Sequence, residues 1–515
     1  MRKRSKMFLN ILFVLIALGG GSVYTLAKSS VHPASMNMGS MSHGMGGMGH
    51  LSHMDGISVA TLKEAASDAP VKTFELTAEE KELDIGDGKK LRAWTFNGIA
   101  PGPEIRVQEG DRLIVHVKNQ LTAGVTIHWH GVELPNAEDG VAGVTQDAIP
   151  TGGEYTYNFI ARHPGTYWYH SHQQSEIQTG KGLFGALIVE PKQQSIVYDR
   201  EIVSILHQWD DNTFTIDGTS TGQHYEAEPG ELVRLRLINS GDSTYRMALA
   251  GTPYKIVAMD AYEINKPTDL DGLPFVIGSG QRYDLEFKMP ESGAVQLLNV
   301  DKPVKSSNLV KRWFFTPSSE AKNQALKATI GKGALPAADM HQLAQMALFN
   351  TDTYGSPLPD GPNVISLNSK FTAAHSLTLG NKPGFFNGRF TMRFTINGKT
   401  FPDTPMVMVK TGDLVKMHLK NESEVDDHPM HLHGHSFQVI AHNGQPLTGS
   451  PITLSTITVP PKESYDIAFL ANNPGIWMIH CHILGHAANG MDMMVNYEGI
   501  TTPYSVGKTS GNFPD

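Results

Sequence analysis

The segment His480–Met491, which reads HCHILGHAANGM, carries the strongest signal in this chain. It holds the only cysteine among 515 residues, with a histidine on each side and a further histidine and a methionine downstream. A thiolate, imidazoles and a weakly held thioether form the ligand set of a blue-copper site. Because residues i and i+2 of a strand share one face, Cys481 can bind one metal while His480 and His482 reach metal on the opposite side.

Three other histidine motifs accompany this segment. They are His128–Gly131 (HWHG), His170–His172 (HSH) and His428–Gly434 (HPMHLHG). With all four motifs complete, the chain resembles the multicopper oxidases, the family of the laccases and bacterial copper oxidases. The resemblance covers nearly everything after about residue 70. An isolated strand histidine is usually structural, but here each pair has the spacing that a copper cluster needs.

The resemblance implies four copper ions and assigns a ligand set to each. The assignment is His428, Cys481 and His486 with axial Met491 for the type 1 blue copper, His128 and His431 for the type 2 copper, His130, His170 and His482 for one type 3 copper, and His172, His433 and His480 for the other. For Met491 the alternative is core packing beside Met493 and Met494. Since the motifs come from both ends of the chain, the trinuclear cluster is expected where the first and last domains meet.

Asp139 and Cys481 are the predicted catalytic residues. The family keeps an acidic residue shortly after the first histidine motif to feed protons to the cluster, and Asp139 follows His130 by nine residues. The alternative is a turn aspartate, because Asp139 precedes a glycine. Many relatives also carry a carboxylate directly after the second blue-site histidine. Here that residue is Ala487, so the proton route is expected to differ in part.

The chain contains three copies of one pattern. In each copy an Asn-Gly or Asp-Gly pair precedes a later asparagine by 22, 22 or 24 residues; the residues are Asn97 and Asn119, Asp217 and Asn239, and Asn397 and Asn421. Short alternating runs such as Arg112–Val117 lie between them and are typical of half-buried strands. These features predict an all-β fold. The resemblance makes it three cupredoxin-like Greek-key β-barrel domains in tandem.

The expected organisation has six parts. They are a signal peptide at 1–27, a Met/His-rich disordered tail at 28–59, domain one at 60–195, domain two without copper ligands at 196–320, a linker at 321–354, and domain three with the blue site at 355–515. The linker has scattered helical patterning around Met340–Met346.

The N-terminal region predicts export to the cell envelope or beyond. Basic residues precede the apolar stretch Met7–Leu18, and Thr25–Ala27 offers a cleavage site. An uncleaved signal would instead tether the protein to a membrane. The tail Val31–Met54 contains six methionines and four histidines, which suit capture of copper, above all Cu(I). The alternative is a flexible spacer.

Composition excludes several classes of partner. The net charge is −9 and no basic stripe occurs, so nucleic acid is not an expected partner. The single cysteine allows no intramolecular disulfide. No sequence element demands an oligomer, and a monomer is expected.

The favoured function is a laccase-like oxidase that couples oxidation of phenols and aromatic amines to reduction of O₂ to water. A cuprous oxidase, a copper-binding tolerance protein and a copper nitrite reductase are the alternatives; a complete trinuclear ligand set argues against the last two. Electrons are expected to arrive close to His428. The preceding carboxylates could attract a cationic donor or form a solvated loop; they are Glu422, Glu424, Asp426 and Asp427.

Overall fold

A computed structural model describes residues 24–39, 56–301, 325–359 and 364–515. Only 6% of the protein is helical, and the strands form pairs of facing sheets, which confirms the all-β prediction. The helices among the described residues are short. They are Ser175–Gly180, Met340–Gln345 and Leu484–Ala487, the 3₁₀ turns Val59–Thr61 and Asn136–Glu138, and a turn at 24–29.

Each domain is a sandwich of two sheets. In domain one the strands of the first sheet are, in spatial order, Lys90–Phe96, Val71–Asp84, Arg112–Asn119 and Glu154–Ile160. The strands of its second sheet are Gly102–Gln108, Phe184–Glu190, Gly165–His170 and His128–His130. In domain two the first sheet consists of Phe214–Ile216, Arg200–Gln208, Leu232–Asn239, Arg282–Lys288, Tyr254–Met259 and Tyr262–Glu263. The second sheet consists of Gln223–Tyr225, Lys327–Ile330, Val295–Asn299, Tyr245–Ala250 and Phe275–Ile277.

Domain three follows the same plan with longer sheets. The first sheet consists of Arg389–Ile396, Ala373–Phe386, Leu414–Asn421, Ser464–Leu470, Phe437–His442 and Gln445–Pro446, and Ile452–Leu454 also pairs with Phe437–His442. The second sheet consists of Met406–Val409, Asp492–Tyr497, Ile476–Cys481, His428–Leu432 and Thr456–Val459. A small parallel pair joins Ile57–Ser58 to Ile500–Thr501. In all three domains the second strand of the first sheet lies parallel to the third, so the sequence repeat corresponds to a repeated topology.

The repeated asparagines have the same structural role in every domain. Asn119 ends its strand, donates from Nδ2 to the carbonyls of Ala123 and Ile149, and accepts from the backbone N–H of Leu121. Asn239 and Asn421 make the equivalent three hydrogen bonds. A side chain that satisfies three backbone groups fixes the loop that follows, and in domains one and three this loop leads into a histidine motif.

The predicted linker differs from the structure at its start and agrees with it at the segment of helical patterning. Lys327–Ile330, predicted as linker, pairs with Val295–Asn299 and Gln223–Tyr225 and so completes a sheet of domain two. Met340–Gln345 is a helix whose first turn is capped by the carboxylate of Asp339. The partners of the strand Lys327–Ile330 lie far earlier in the chain, so local pattern alone could not assign this strand to domain two.

The predicted disordered tail is ordered over its first part. Met36 exchanges two backbone hydrogen bonds with Val506, and Asn37 donates to the carbonyls of Thr502 and Tyr504. Met36 and Met38 are buried, with 8% and 1% of their surface exposed. Two methionines gain enough apolar contact on domain three to dock a segment whose composition suggests disorder. The rest of the tail, 40–55, lies outside the described residues.

The predicted signal peptide also lies largely outside them, since the description begins at Tyr24. In the part of the chain that is described, no helix combines the length and apolar character needed to cross a bilayer.

His442 links the connection after domain two to domain three. Its ring bonds Asp352 Oδ2 through Nδ1 at 2.8 Å and Glu463 Oε2 through Nε2 at 2.7 Å. Burial lowers the pKa of His442, but the two carboxylates outweigh this effect and raise it above 6.5. A histidine whose pKa is higher in the folded than in the unfolded protein stabilises the fold when it is protonated. This stabilisation is complete at pH values below the pKa of the unfolded protein, and it disappears as the pH rises through the pKa of the folded protein.

We therefore expect His442→Gln to destabilise the protein at low pH. The loss should be about 1 kcal/mol near pH 5.5 after allowance for solvent screening, and smaller near pH 9. Urea unfolding at both pH values measures it. His116→Gln is the matched control, since the ring of His116 bonds the hydroxyl of Thr156 rather than a carboxylate. A destabilisation that does not change with pH would contradict the ion-paired state of His442.

Candidate metal centres

Strand pairing brings the four histidine motifs together. In domain one His128 lies opposite His170 across two antiparallel strands. In domain three His431 lies opposite His480, and Met430 opposite Cys481. The two domains then face each other, with His128 Nε2 at 3.3 Å from His431 Nε2. Eight histidines from both domains thus form one buried cluster at the predicted interface.

Ligand atoms in this cluster are close enough to share metal ions. The groups whose nitrogens lie within 4.8 Å of one another are His128, His130 and His431; His130, His170 and His482; and His172, His433 and His480. These groups match the predicted sets, with His130 also close to the predicted type 2 pair. His433 Nε2 and His480 Nε2 are 3.2 Å apart, too close for two ring nitrogens to lie there without a shared proton or metal.

The protonation state of the cluster suits metal binding. Burial, reinforced in most cases by neighbouring imidazoles, lowers the pKa of His130, His170, His172, His431, His433, His480 and His482. Neutral imidazole is the form that binds copper. Nε2 of His170, His172 and His482 is buried with no hydrogen-bond partner, and such a nitrogen costs about 1–3 kcal/mol unless a metal satisfies it. The residues therefore fit copper.

The second candidate centre is mononuclear and lies in domain three. Cys481 Sγ is 3.8 Å from His428 Nδ1 and 3.5 Å from His486 Nδ1, and the two nitrogens are 3.3 Å apart. Burial raises the pKa of the Cys481 thiol well above 9. The thiolate that a blue site needs is thus stable here only when a metal binds it. Met491 is fully buried and accepts a backbone hydrogen bond from Cys481.

The two blue-site histidines differ in their access to solvent. His428 is fully buried, and its Nε2 bonds Ser423 Oγ at 2.8 Å. His486 keeps 8% of its surface exposed, and the ring of Phe394 stacks on it at 3.7 Å. His486 is therefore the more exposed of the two predicted blue-site histidines, although electrons were expected to arrive close to His428.

The carboxylates of the acidic loop before His428 have structural contacts of their own. Glu424 pairs with Lys462, and Glu422 with Lys420. Asp426 accepts from the amide of Asn381. Burial raises the pKa of the remaining member, Asp427, to about 6. These contacts favour the structural explanation of the loop over a cationic docking site.

Asp139 touches the cluster directly. Its Oδ2 accepts from His433 Nδ1 at 3.0 Å, and its Oδ1 lies 3.2 Å from His128 Nδ1. It ends the 3₁₀ turn Asn136–Glu138, and Gly140 follows at φ +74° so close to Ile127 that a Cβ would lie 1.8 Å from its carbonyl oxygen. Asp139 is therefore both a turn residue and a neighbour of the histidine cluster, so the two alternatives for its role are compatible. The turn holds a carboxylate between two histidines.

Domain two contributes to the cluster although it has none of the ligand motifs. Ser279 Oγ bonds the carbonyl of His482 at 2.6 Å and lies 3.1 Å from its Nδ1. A Cβ on Gly280 would meet His482 at 2.8 Å. The sequence analysis missed this contact, because neither serine nor glycine is a typical metal ligand.

A buried ion pair of domain two lies behind the same cluster. Asp260 and Arg282 are 3.0 Å apart and almost fully buried. Arg282 Nε donates to the carbonyl of Thr166 in domain one. Asp260 Oδ2 accepts from the backbone N–H groups of Ser455 and Thr456 in domain three. The carbonyl of Ser455 in turn bonds His431 Nδ1 at 2.8 Å.

Comparison with known proteins agrees with this geometry. Residues 77–194 and 372–499 match multicopper oxidase family profiles. The chain is 31% identical to Laccase-2 of Botryotinia fuckeliana, covering 79% of each chain, and 25% identical to the copper resistance protein A homolog of Pseudomonas syringae pv. tomato, covering 82% and 92%. A multi-copper oxidase of Pseudomonas thermotolerans superimposes with a TM-score of 0.64 at 27% identity over 84% of this chain and all of that one.

The chain belongs to the multicopper oxidase family. It is an oxidoreductase that uses O₂ as acceptor, its cofactor is copper, and its domains have the three-fold cupredoxin-like arrangement predicted from the sequence.

Proposed function

We propose that this protein is an exported, laccase-like oxidase. It takes single electrons from phenols and aromatic amines, or from Cu(I), at one type 1 copper and reduces O₂ to water at one type 2 and two type 3 coppers. The type 1 ligands are His428, Cys481 and His486 with Met491, and the eight clustered histidines hold the other three ions.

One observation carries this proposal. His480, Cys481 and His482 are consecutive, yet each belongs to a different group of ligand atoms. An electron that arrives at the thiolate of Cys481 therefore reaches both remaining groups through covalent bonds of adjacent residues. A protein that only stores copper has no need of such a connection.

The chain's own residues prepare this path. When bound, copper supplies one-electron transfer at the mononuclear centre and four-electron reduction of O₂ at the cluster. Burial keeps the imidazoles neutral and excludes bulk water, and Asp139 holds His128 and His433 in place. Ala487 leaves no carboxylate directly after His486, but Asp492 and Asp515 line the same cavity as Ala487.

An open cleft beside His486 supports an organic donor. It has a volume of about 560 Å³, within the range for small-molecule sites. Ala488 and Asn489, two and three residues after His486, line it, and Phe390 and Ile177 supply exposed apolar walls. A substituted phenol in this cleft would lie within two or three residues of the most accessible copper ligand.

Cu(I) is the second candidate donor, and the tail favours it. His32 and Met36 of the Met/His-rich segment lie against domain three, where they line a smaller cavity that adjoins the cleft beside Ala487 and Ala488. A cuprous oxidase would use the same mononuclear site as a laccase, so the two activities are compatible in one protein.

Oxygen uptake by the copper-loaded protein tests the proposal. We expect one O₂ to be consumed for every four molecules of dimethoxyphenol oxidised by one electron, with no hydrogen peroxide released. We expect turnover with dimethoxyphenol to exceed turnover with Cu(I) at matched concentrations. Turnover with Cu(I) that is faster by roughly tenfold would make copper detoxification the main role. Accumulating peroxide would contradict a four-electron site.

A further inference from the structure

The ordered part of the tail forms one wall of a cavity next to the blue site. This cavity, of about 100 Å³, is lined by His32 and Met36 on one side and by Ala487 and Ala488 on the other. Ala487 directly follows His486, so the cavity lies one residue from a predicted copper ligand. It adjoins the larger cleft that suits an organic donor, and Ala488, Phe386 and Asp515 line both.

Contacts on both sides hold His32 and Met36 in position. The backbone N–H of His32 donates to Asn387 Oδ1 at 3.3 Å, and its ring meets the edge of Phe386 at 4.7 Å. Met36 is held by two backbone bonds to Val506. Phe386 lies beside Gly490, the residue before Met491. The tail is thus fixed against the loop that carries the blue-site ligands.

The donor atoms around the cavity are those that monovalent copper prefers. A thioether and an imidazole are soft ligands that select Cu(I). Burial lowers the pKa of His32, so the imidazole is neutral and able to bind metal. Asp492 and Asp515 add two carboxylates, and Lys508 is the one cation among the described lining residues. The volume admits an ion with several waters.

We propose that His32 and Met36 form a docking site at which Cu(I) binds before it gives its electron to the blue copper. This inference rests on the proposed oxidase function and names the site of its cuprous substrate. Four Cu(I) ions lose one electron each, and with one O₂ and four protons they yield four Cu(II) and two waters. The Cu(II) product prefers harder ligands and leaves the thioether.

Two substitutions remove the donor atoms while keeping the packing. Met36→Leu removes the thioether but conserves apolar volume, and His32→Gln removes the imidazole. Met38→Leu is the matched control, because Met38 belongs to the same segment and is buried but does not line the cavity. His224→Gln controls for a histidine elsewhere on the surface.

Binding is measured on the full-length, copper-loaded protein with Ag(I), a redox-inert substitute for Cu(I). We expect the double variant to bind one Ag(I) fewer than the wild type and both controls. The KM for Cu(I) in oxygen uptake should rise by roughly tenfold, with kcat for dimethoxyphenol unchanged. This combination establishes a Cu(I) site independent of the organic cleft.

Two results would overturn the inference. One is an Ag(I) stoichiometry and a KM for Cu(I) equal to those of the wild type. The other is an equal loss of phenol and Cu(I) oxidation, which would mean that the segment only supports the fold. Failure of the oxidase proposal looks different, because Ag(I) binding is measured without turnover.

Discussion

Replacing Cys481 by serine is expected to abolish the blue colour and the oxidation of every donor. Serine fills nearly the same buried volume but offers no thiolate, so the charge-transfer band is lost and electrons have no path to the cluster. We expect donor oxidation to fall by roughly three orders of magnitude or more. Visible absorption and oxygen uptake measure the two effects.

The same variant should retain the cluster. Elemental analysis is expected to find about three coppers per chain instead of about four, and the type 2 signal in electron paramagnetic resonance should persist. Met478→Leu, a buried substitution in the same strand that changes no ligand, should leave colour and activity intact. A Cys481→Ser protein that stayed blue would refute the assignment of the mononuclear site.

Asp139→Asn is expected to slow the reaction with O₂ by roughly 10–100-fold. The amide keeps the shape of the side chain, and the backbone carbonyl of residue 139 still accepts from His128 Nδ1, but the negative charge that lies beside the rings of His128 and His433 is lost. Stopped-flow absorption separates the two half-reactions. Anaerobic bleaching of the blue band by dimethoxyphenol should keep its rate, while reoxidation by O₂ should be slow.

The neighbouring carboxyl group provides the control for this variant. Glu138 is buried and accepts from the backbone N–H of Asn158, away from the cluster. Burial raises the pKa of Glu138 to about 7, so this carboxyl group is only partly ionised at neutral pH, and Glu138→Gln removes roughly half a charge there. If Asp139→Asn reoxidised as fast as Glu138→Gln, Asp139 would neither position the histidines nor supply protons. A change in the pH profile of reoxidation would favour the proton role.

The local sequence pattern was sufficient to predict the strands and to identify the histidine motifs. A strand repeats every two residues, so His128 and His130, or His480 and His482, necessarily share a face. The asparagines at 119, 239 and 421 marked one turn three times over because each satisfies the same three backbone groups. The assignment of these histidines to particular ligand groups came from the family resemblance.

Contacts between domains could not be found in this way. Ser279 and Gly280 approach His482 only because domain two packs across the interface, and serine and glycine have no distinctive metal chemistry. Phe394 covers His486 from another strand of domain three. The ordered methionines Met36 and Met38 were missed for a similar reason, since their partners lie more than 450 residues away. Sequence shows what a residue can do, whereas these roles depend on what it meets.

The buried ion pair of Asp260 and Arg282 makes copper binding at the cluster depend on the folding of all three domains. This pair in domain two bonds domain one at Thr166 and domain three at Ser455, whose carbonyl orients His431. No single domain can therefore assemble the cluster alone. We expect a chain with any domain unfolded to lack the metals of the histidine cluster and to be inactive, so metal content provides a simple quality test for preparations of this enzyme.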